Sequence, residues 1–384
     1  MMNEVQKKIF TLLNEIDTSC RANGLDYYLS GDTALYAFQN AELHPDAYCA
    51  YISIVAEDVS WFLKIMEAKE NRAIESWKSN ENYPDFSLRY IDKESLCYHI
   101  DRHKGYKHNG IYVHITIIRK RSAIKKRNFI IENGINFNSG YPQNKQGLKR
   151  FIVASGFRAA MFIYGKKRFV RKYFKNQISL GGKNTNQYKI GKKVYPRIIL
   201  EGTRNELELY GQKFTTYPYL KEYFLYNYGY NWANKEFSHK TNRLMLSPHI
   251  SCLDYEKELE KIGWKDKKYI KHKKRLSRLY SPKINARIRK QQLQTQYVID
   301  TLYLKDLYLP QKEELLELHQ NGQFDILDNQ LQEYFDLASK KGRMMSFDRD
   351  ISYMVIERIK EKRGKLYATA LEFRRKNIAI DMSK

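Results

Sequence analysis

The spacing of apolar residues in the first half of the chain predicts alternating helices and strands. Apolar side chains recur at helical spacing between residues 5 and 16, and Asn23-Gly24 is typical of a helix C-terminus. Residues 25–30 predict a short strand, which leads through Gly31-Asp32-Thr33 into a second helix from about Ala34. The opening order is therefore helix, strand, glycine turn and helix.

The rest of the chain divides into a mixed region and a helical region. The same spacing predicts strands over 48–55, 87–90 and 111–118, a helix over 57–66, and a flexible loop over 177–193. From about Phe237 the pattern is mostly helical, with Ser346 as the expected N-cap of the last helix. The predicted fold class is α+β: residues 1–235 form a mixed sheet flanked by helices, and residues 236–384 form a helical, basic C-terminal extension.

Composition excludes several classes of protein. Of the 384 residues, 42% are hydrophobic and 14% aromatic, which excludes general disorder. Four scattered cysteines, Cys20, Cys49, Cys97 and Cys252, form no CxxC pair and predict no disulfide framework. This cysteine usage is typical of a reducing, cytoplasmic location.

No membrane-spanning segment is predicted. The most apolar stretch, residues 151–165, is too short to span a bilayer and is interrupted by Arg158. Its basic flanks, Lys149-Arg150 and Lys166-Lys167-Arg168, fit a helix lying at an anionic membrane interface, and equally a partly buried helix with a solvated basic rim. The expected location is cytoplasmic, with peripheral contact at the inner face of the membrane as an alternative.

The formal charge of +25 is unevenly distributed along the chain. Residues 1–100 carry a net charge of −7, residues 101–200 carry +22, and the remainder carries +10. No carboxylate side chain occurs between residues 133 and 200. A field of one sign this large repels itself unless an anion lies against it, so a phosphate-rich ligand, an anionic lipid surface or a nucleic acid is the expected partner.

Several segments together resemble a known family. A strand, a Gly-x-Thr turn and a helix are typical of a nucleotidyltransferase fold, in which glycine lets the backbone approach a phosphate. Gly31-Asp32-Thr33-Ala34-Leu35-Tyr36-Ala37 and the strand Gly110 to Ile117 are similar to segments of the LicD family, as are Val194-Tyr195-Pro196-Arg197 and the Tyr228-Gly229 pair. The resemblance covers roughly residues 5–235. It implies a nucleotidyltransferase-like mixed sheet, a CDP-activated donor, and transfer of phosphocholine or polyol phosphate to surface glycans such as teichoic acid, capsule or lipopolysaccharide.

The chain departs from the LicD family at the metal-binding acids. The family holds divalent metal with an Asp-x-Asp on one strand and a third Asp on a later strand, because Mg²⁺ prefers carboxylate ligands. At the matching positions this chain has Tyr51, Ser53 and His114. The favoured interpretation is therefore a degenerate enzyme with no intact catalytic residues, no bound metal and no cofactor.

Other residues keep alternative functions open. Gly31, Thr33 and Arg89 are predicted to bind substrate phosphate, although Arg89 is equally expected to pair with a neighbouring carboxylate. Asp32 and Asp46 are the acids that a relocated Mg²⁺ site would use with His114 in an active enzyme, but Asp32 in a phosphate turn would repel nucleotide phosphate.

The predicted partners follow from these features. They are a phosphate-rich glycan or lipid-linked acceptor, a CDP-activated donor, an anionic membrane surface and an active paralogue. Nucleic acid is the less favoured partner, because the basic tract over 261–290 lacks any recognised nucleic-acid-binding signature. Cys97, His99, His103 and His108 lie close together but match no standard zinc spacing, so a solvated loop is favoured there.

Overall fold

A computed structural model of the chain divides into two compact units, Met1–Thr241 and Asn242–Lys384. The structure describes residues 2–66, 70–80, 83, 87–100, 106–120, 187–191, 193–235, 244–269, 271, 282–364, 368, 369 and 371, with single residues 159, 162, 163, 165 and 168. The boundary between the units falls slightly later than the predicted one, and residues 236–243 lie outside the described part.

The first unit is a mixed α+β structure. Its helices are α1 (Glu4–Ala22), α2 (Gly31–Asn40), α3 (Val59–Ile65) and α4 (Leu220–Tyr228). Its strands are β1 (Tyr27–Leu29), β2 (Cys49–Val55), β3 (Arg72–Glu75), β4 (Ser87–Asp92), β5 (Leu96–His99), β6 (Tyr112–Lys120), β7 (Gln187–Ile190), β8 (Lys193–Pro196), β9 (Asn205–Leu209) and β10 (Gln212–Thr216). The α+β class predicted from the sequence is confirmed.

Nine of these strands form one sheet. The order β3-β4-β6-β2-β1-β10-β9 runs across it, and the β7–β8 hairpin joins the end of β6. β1 is antiparallel to β2 and parallel to β10, while β2 and β6 are parallel, with Cys49 opposite Tyr112 and Val55 opposite Ile118. The remaining pairs are antiparallel.

Alternation along the central strands separates an apolar face from a polar face. Successive side chains of a strand point to opposite faces, so Ile52 and Ile54 share a face with Ile115 and Ile117, which all are buried. Helix α1 packs against β2, β4 and β6, and the hydroxyl of Tyr90, on this same face, donates to Glu15 of α1. The opposite face carries the candidate functional residues.

In the described residues of the second unit, the regular structure is helical apart from one short strand, β11 (Leu244–Ser247). Its helices are α5 (Tyr255–Lys261), α6 (Pro282–Tyr308), α7 (Lys312–Gln320), α8 (Phe324–Gln330), α9 (Gln332–Lys341) and α10 (Arg349–Arg363). Leu315, Tyr334 and Met354 lie in its buried core. The predicted helical character from Phe237 onward is confirmed for the described residues.

The last helix begins later than predicted. Asp348 is its N-cap and accepts backbone N–H groups from Asp350 and Ile351, so the expected cap at Ser346 is wrong. The Ser346 side chain instead lies 3.2 Å from the Ser352 hydroxyl. A cap must have its side chain two or three residues before the free N–H groups, and only Asp348 satisfies that here.

Two other predictions need correction. The loop expected over 177–193 contains strand β7, which pairs with the end of β6 and turns through Gly191 into β8. Residues 177–186 lie outside the described part. Helix α2 begins at Gly31, earlier than the expected Ala34, so the glycine turn is its first turn.

Two further observations concern disulfide bonds and membrane-spanning helices. The four cysteines are buried and free. Among the described residues, no helix combines the length and the apolar character needed to cross a bilayer.

Candidate functional site

One row of side chains crosses four neighbouring strands on the polar face. Tyr51 on β2 lies opposite His114 on β6, with their ring centroids 5.5 Å apart. His114 lies opposite Arg89 on β4, which in turn lies opposite Glu75 on β3. The sheet therefore brings three residues singled out in the sequence, Tyr51, His114 and Arg89, into one line.

Ser53 lies in the next row of the same face. It is fully buried between Tyr28 of β1 and Thr116 of β6, and no described residue lies within hydrogen-bond geometry of its hydroxyl. A buried serine offers a neutral oxygen at a position to which the LicD resemblance assigns a carboxylate. Tyr51, Ser53 and His114 thus share one region of the sheet without contributing any negative charge.

The glycine turn is fastened to Tyr51 through its backbone. Ser30 donates its N–H to the Tyr51 carbonyl at 3.0 Å, and Tyr51 donates its N–H to the Thr33 hydroxyl at 2.9 Å. Gly31 has φ +59°, and a Cβ added there would lie 3.3 Å from the Tyr51 side chain. Glycine is required at this position by both its backbone conformation and the close approach of Tyr51.

The first N–H of helix α2 is already bonded within the protein. Gly31 donates it to the hydroxyl of Tyr223 on α4, at 2.9 Å. Burial raises the pKa of Tyr223 to about 12, so this hydroxyl remains protonated near neutral pH. Helix N-termini can bind phosphate through their free N–H groups, and here the first of these groups is bonded to a neutral side chain.

Tyr223 belongs to a stack of four tyrosines. Its ring lies 4.2 Å from that of Tyr217 and 5.6 Å from that of Tyr195, and Tyr217 stacks on Tyr28 at 4.9 Å. All four are buried. Sequence reasoning missed this group; its only signal was the tyrosine-rich run between residues 217 and 228.

Asp32 is held by residues at the end of the first unit. The Tyr228 hydroxyl donates to its Oδ1 at 2.8 Å, and Lys235 Nζ lies 3.6 Å from the same oxygen. Lys235 also lies 3.7 Å from the centre of the Tyr228 ring. Burial, together with the Asp32 charge, raises the pKa of Tyr228 above its ordinary range.

Asp46 is exposed, and its backbone N–H donates to His44 Nδ1 at 3.1 Å. Within the described ranges, no three His, Cys, Asp or Glu side chains are grouped so that they could hold a metal ion. The residues at the family's acid positions do not fit Mg²⁺ either, because a phenol, a serine hydroxyl and an imidazole lack the charged oxygens that it prefers.

Arg89 is buried against aromatic rings. Its side chain is 1% exposed, and its guanidinium carbon lies 4.1 Å from the Tyr106 ring centre and 3.8 Å from that of Tyr112. Its Nη1 lies 3.8 Å from Glu75, while Nε and Nη2 have no hydrogen-bond partner among the residues that the structure describes. Burial raises the pKa of Glu75, opposed by the Arg89 charge. The pairing expected as one alternative for Arg89 is present.

The histidine-rich segment before β6 contributes partly to this region. Cys97 Sγ lies 4.0 Å from His99 Nε2, which is also 3.4 Å from the Tyr112 hydroxyl. Burial raises the pKa of Cys97, so the thiol is held protonated. His103, most of the acid-free stretch and much of the basic tract over 261–290 lie outside the described residues.

Comparison of the chain with protein-family models and with curated proteins gave no match.

Proposed function

We propose that this chain is a catalytically degenerate relative of LicD-type phosphotransferases that binds a phosphate-rich glycan or lipid-linked acceptor. It serves beside an active paralogue in the phosphate decoration of surface polymers, at the cytoplasmic side of the membrane. The observation that carries the proposal is the pairing of Tyr51 with His114 on parallel strands β2 and β6. These are the positions at which two of the family's metal-binding acids are expected.

The arrangement of the elements supports the resemblance. Helix α1, strand β1, the Gly31 turn, helix α2 and strand β2 follow in the order that a nucleotidyltransferase fold requires. β1 is antiparallel to β2, and β6 is parallel to β2. Tyr51 and His114, which the resemblance assigns to metal-binding positions on two different strands, lie opposite each other on β2 and β6, and this supports the proposal.

The contacts at the turn support loss of catalysis. The N–H of Gly31, the hydroxyl of Thr33 and the carboxylate of Asp32 are all bonded to residues of the same chain. Phosphoryl transfer needs positive charge and free donors around the phosphate. Here the Gly31 N–H is occupied by Tyr223, the Thr33 hydroxyl accepts the Tyr51 N–H, and Asp32 adds a negative charge.

A relocated Mg²⁺ site is the weaker alternative. It would need Asp32 and Asp46 free to bind a cation together, but Asp32 is bonded to Tyr228 and Lys235. The uneven distribution of positive charge favours a binding role instead. The 68 residues over 133–200 include many basic side chains and no acidic one, which suits binding of a polyanion.

Activity and binding assays on the purified full chain test this proposal. With Mg²⁺ and CDP-choline or a CDP-polyol as donor, we expect no transfer to a polyol-phosphate polymer. We expect binding of that polymer, weakened as salt rises, and weaker binding of RNA of equal charge. If the wild type transferred the phosphate group and the Asp32→Asn, Asp46→Asn variant did not, the chain would be an active enzyme with a relocated Mg²⁺ site. Equal affinity for RNA would favour a general polyanion-binding protein.

A further inference from the structure

Apolar side chains are exposed where the acid-free stretch packs on helix α4. The 3-10 helix Arg197–Leu200, which ends the stretch, contacts α4. Ile198 on this turn is 46% exposed, and Tyr226 and Tyr230 are 51% and 92% exposed. Leu225 is exposed beside them. We call these four residues the tyrosine surface.

Three of the four residues lie near the C-terminus of α4. Leu225 and Tyr226 belong to its last turn, and Tyr230 follows Gly229, the residue with φ +85° at which the helix ends. The Tyr226 ring lies 6.1 Å from the buried Tyr195 ring, so Tyr226 packs against the end of the tyrosine stack. Exposed apolar side chains grouped in this way mark interaction sites more often than scattered ones do.

Three basic residues lie on or next to the elements that carry the tyrosine surface. Lys193 precedes the 3-10 helix and donates to the Asn227 carbonyl, Arg197 begins that helix and pairs with Glu201, and Lys221 is exposed in the first turn of α4. Two acids, Glu201 and Glu222, are also present, so the local excess of charge is small. The larger excess comes from the acid-free stretch that this surface adjoins in sequence.

The same acid-free stretch exposes a second apolar pair. Phe162 and Ile163 are 91% and 75% exposed, between the basic clusters Lys149-Arg150 and Lys166-Lys167-Arg168. An aqueous polyanion gives no favourable contact to an exposed isoleucine or phenylalanine. A bilayer interface does, because tyrosine rings lie at the headgroup level, aliphatic groups reach the acyl chains, and lysines pair with anionic lipids.

We propose that the tyrosine surface docks on an anionic lipid bilayer, with Tyr226 and Tyr230 inserted at the headgroup level. The docking is independent of whether the chain binds a glycan or transfers a phosphate. It would place the first unit directly on a membrane through residues that sequence reasoning did not single out.

Vesicle flotation of the full chain tests the proposal. Vesicles of phosphatidylglycerol and phosphatidylcholine in equal parts should carry the protein, whereas pure phosphatidylcholine should not. The double variant Tyr226→Ser, Tyr230→Ser should bind about tenfold more weakly, equal to about 1.4 kcal/mol. Tyr353→Ser, which removes an exposed tyrosine of the second unit, is the matched control and should bind as the wild type does.

Circular dichroism and melting temperature confirm that each variant is folded. Unchanged binding by the double variant would overturn the proposal, because charge alone would then account for the attachment. Binding to both kinds of vesicle alike would overturn it as well, as would release of the protein by soluble polyphosphate at the same phosphate concentration as the lipid.

Discussion

Tyr51 contacts both the glycine turn and His114 in the candidate site. Its backbone binds the glycine turn on one side through Ser30 and Thr33, and its ring contacts His114 on the other. An aspartate at this position would keep the backbone contacts, which do not depend on the side chain. Under the proposed resemblance, an exchange between aspartate and tyrosine at this position would therefore change the chemistry of the site and not the local fold.

The close approach of Tyr51 to the turn predicts a specific cost at Gly31. Gly31→Ala forces a side chain into left-handed backbone and within 3.3 Å of Tyr51, so we expect a loss of about 2 to 3 kcal/mol in the free energy of unfolding. Gly24→Ala is the control, since Gly24 has φ +60° but nothing within 4 Å of an added Cβ.

Urea denaturation of both variants separates the two contributions. Gly24→Ala should cost only the backbone part, on the order of 1 kcal/mol. If the two substitutions cost the same, the contact between the turn and Tyr51 contributes nothing to stability, contrary to the structure.

A second residue-scale prediction concerns Asp306 in the second unit. Burial raises the pKa of its carboxyl from the ordinary 3.8 to about 7, although the Ser247 hydroxyl donates to it at 2.7 Å. The folded chain therefore retains a proton that the unfolded chain releases between these pH values. The stabilisation is complete below about pH 3.8 and is lost as the pH rises to about 7.

Asp306→Asn should remove this dependence on pH. Between pH 4 and 7 the wild type should lose on the order of 3 kcal/mol of stability through this group, and the variant should show a correspondingly flatter profile. Asp325→Asn, at an exposed position of α8, is the control and should follow the wild type. If the free energy of unfolding of Asp306→Asn and of the wild type depended on pH in the same way, the pKa of the Asp306 carboxyl would not be raised.

The role of a residue could be predicted from the sequence where that role depends on neighbouring residues. It could not be predicted where the role depends on contacts with distant parts of the chain. The alternating isoleucines of β2 and β6 predicted two strands, each with one apolar face, whereas the pairing that places Tyr51 opposite His114 is seen in the structure alone. The capping of Gly31 by Tyr223 joins residues 192 positions apart. Nothing in the local pattern around either residue indicates that contact.

At the scale of elements, strand β6 organises the first unit. It pairs with β2 on one side, and on the other with β4 along its first half and β7 along its end. Its long apolar run made it the clearest strand in the sequence. β7 was missed because its Asn-, Gly- and Lys-rich surroundings favour a loop, and its pairing with β6 and β8 stabilises it as a strand.

The start of α10 gives a prediction at the scale of one helix. Asp348→Ala removes the cap that accepts two backbone N–H groups and the ion pair with Lys312, so a loss of about 1 to 2 kcal/mol is expected. Ser346→Ala should cost less than about 0.5 kcal/mol, since this serine caps nothing. Thermal unfolding of the two variants measures these losses. A larger loss of stability in Ser346→Ala than in Asp348→Ala would show that Ser346 is the cap.

At the scale of the whole molecule, charge and candidate chemistry occupy different parts of the chain. The strands and turn of the candidate site lie mostly within residues 1–120, whose first hundred residues carry a net charge of −7. The positive excess lies later, above all in the acid-free stretch. This distribution of charge fits the proposed role, in which the chain holds an acceptor and does not transfer a phosphate.

The central claim is that the row beginning at Tyr51 has lost a metal site that its backbone would still support. Calorimetric titration with Mn²⁺, as a probe for Mg²⁺ sites, in the presence of CDP tests it most directly. The wild type should show no stoichiometric binding, whereas the Tyr51→Asp, Ser53→Asp, His114→Asp variant, if folded by circular dichroism, should bind Mn²⁺. Stoichiometric binding by the wild type that disappears in Asp32→Asn would contradict the account.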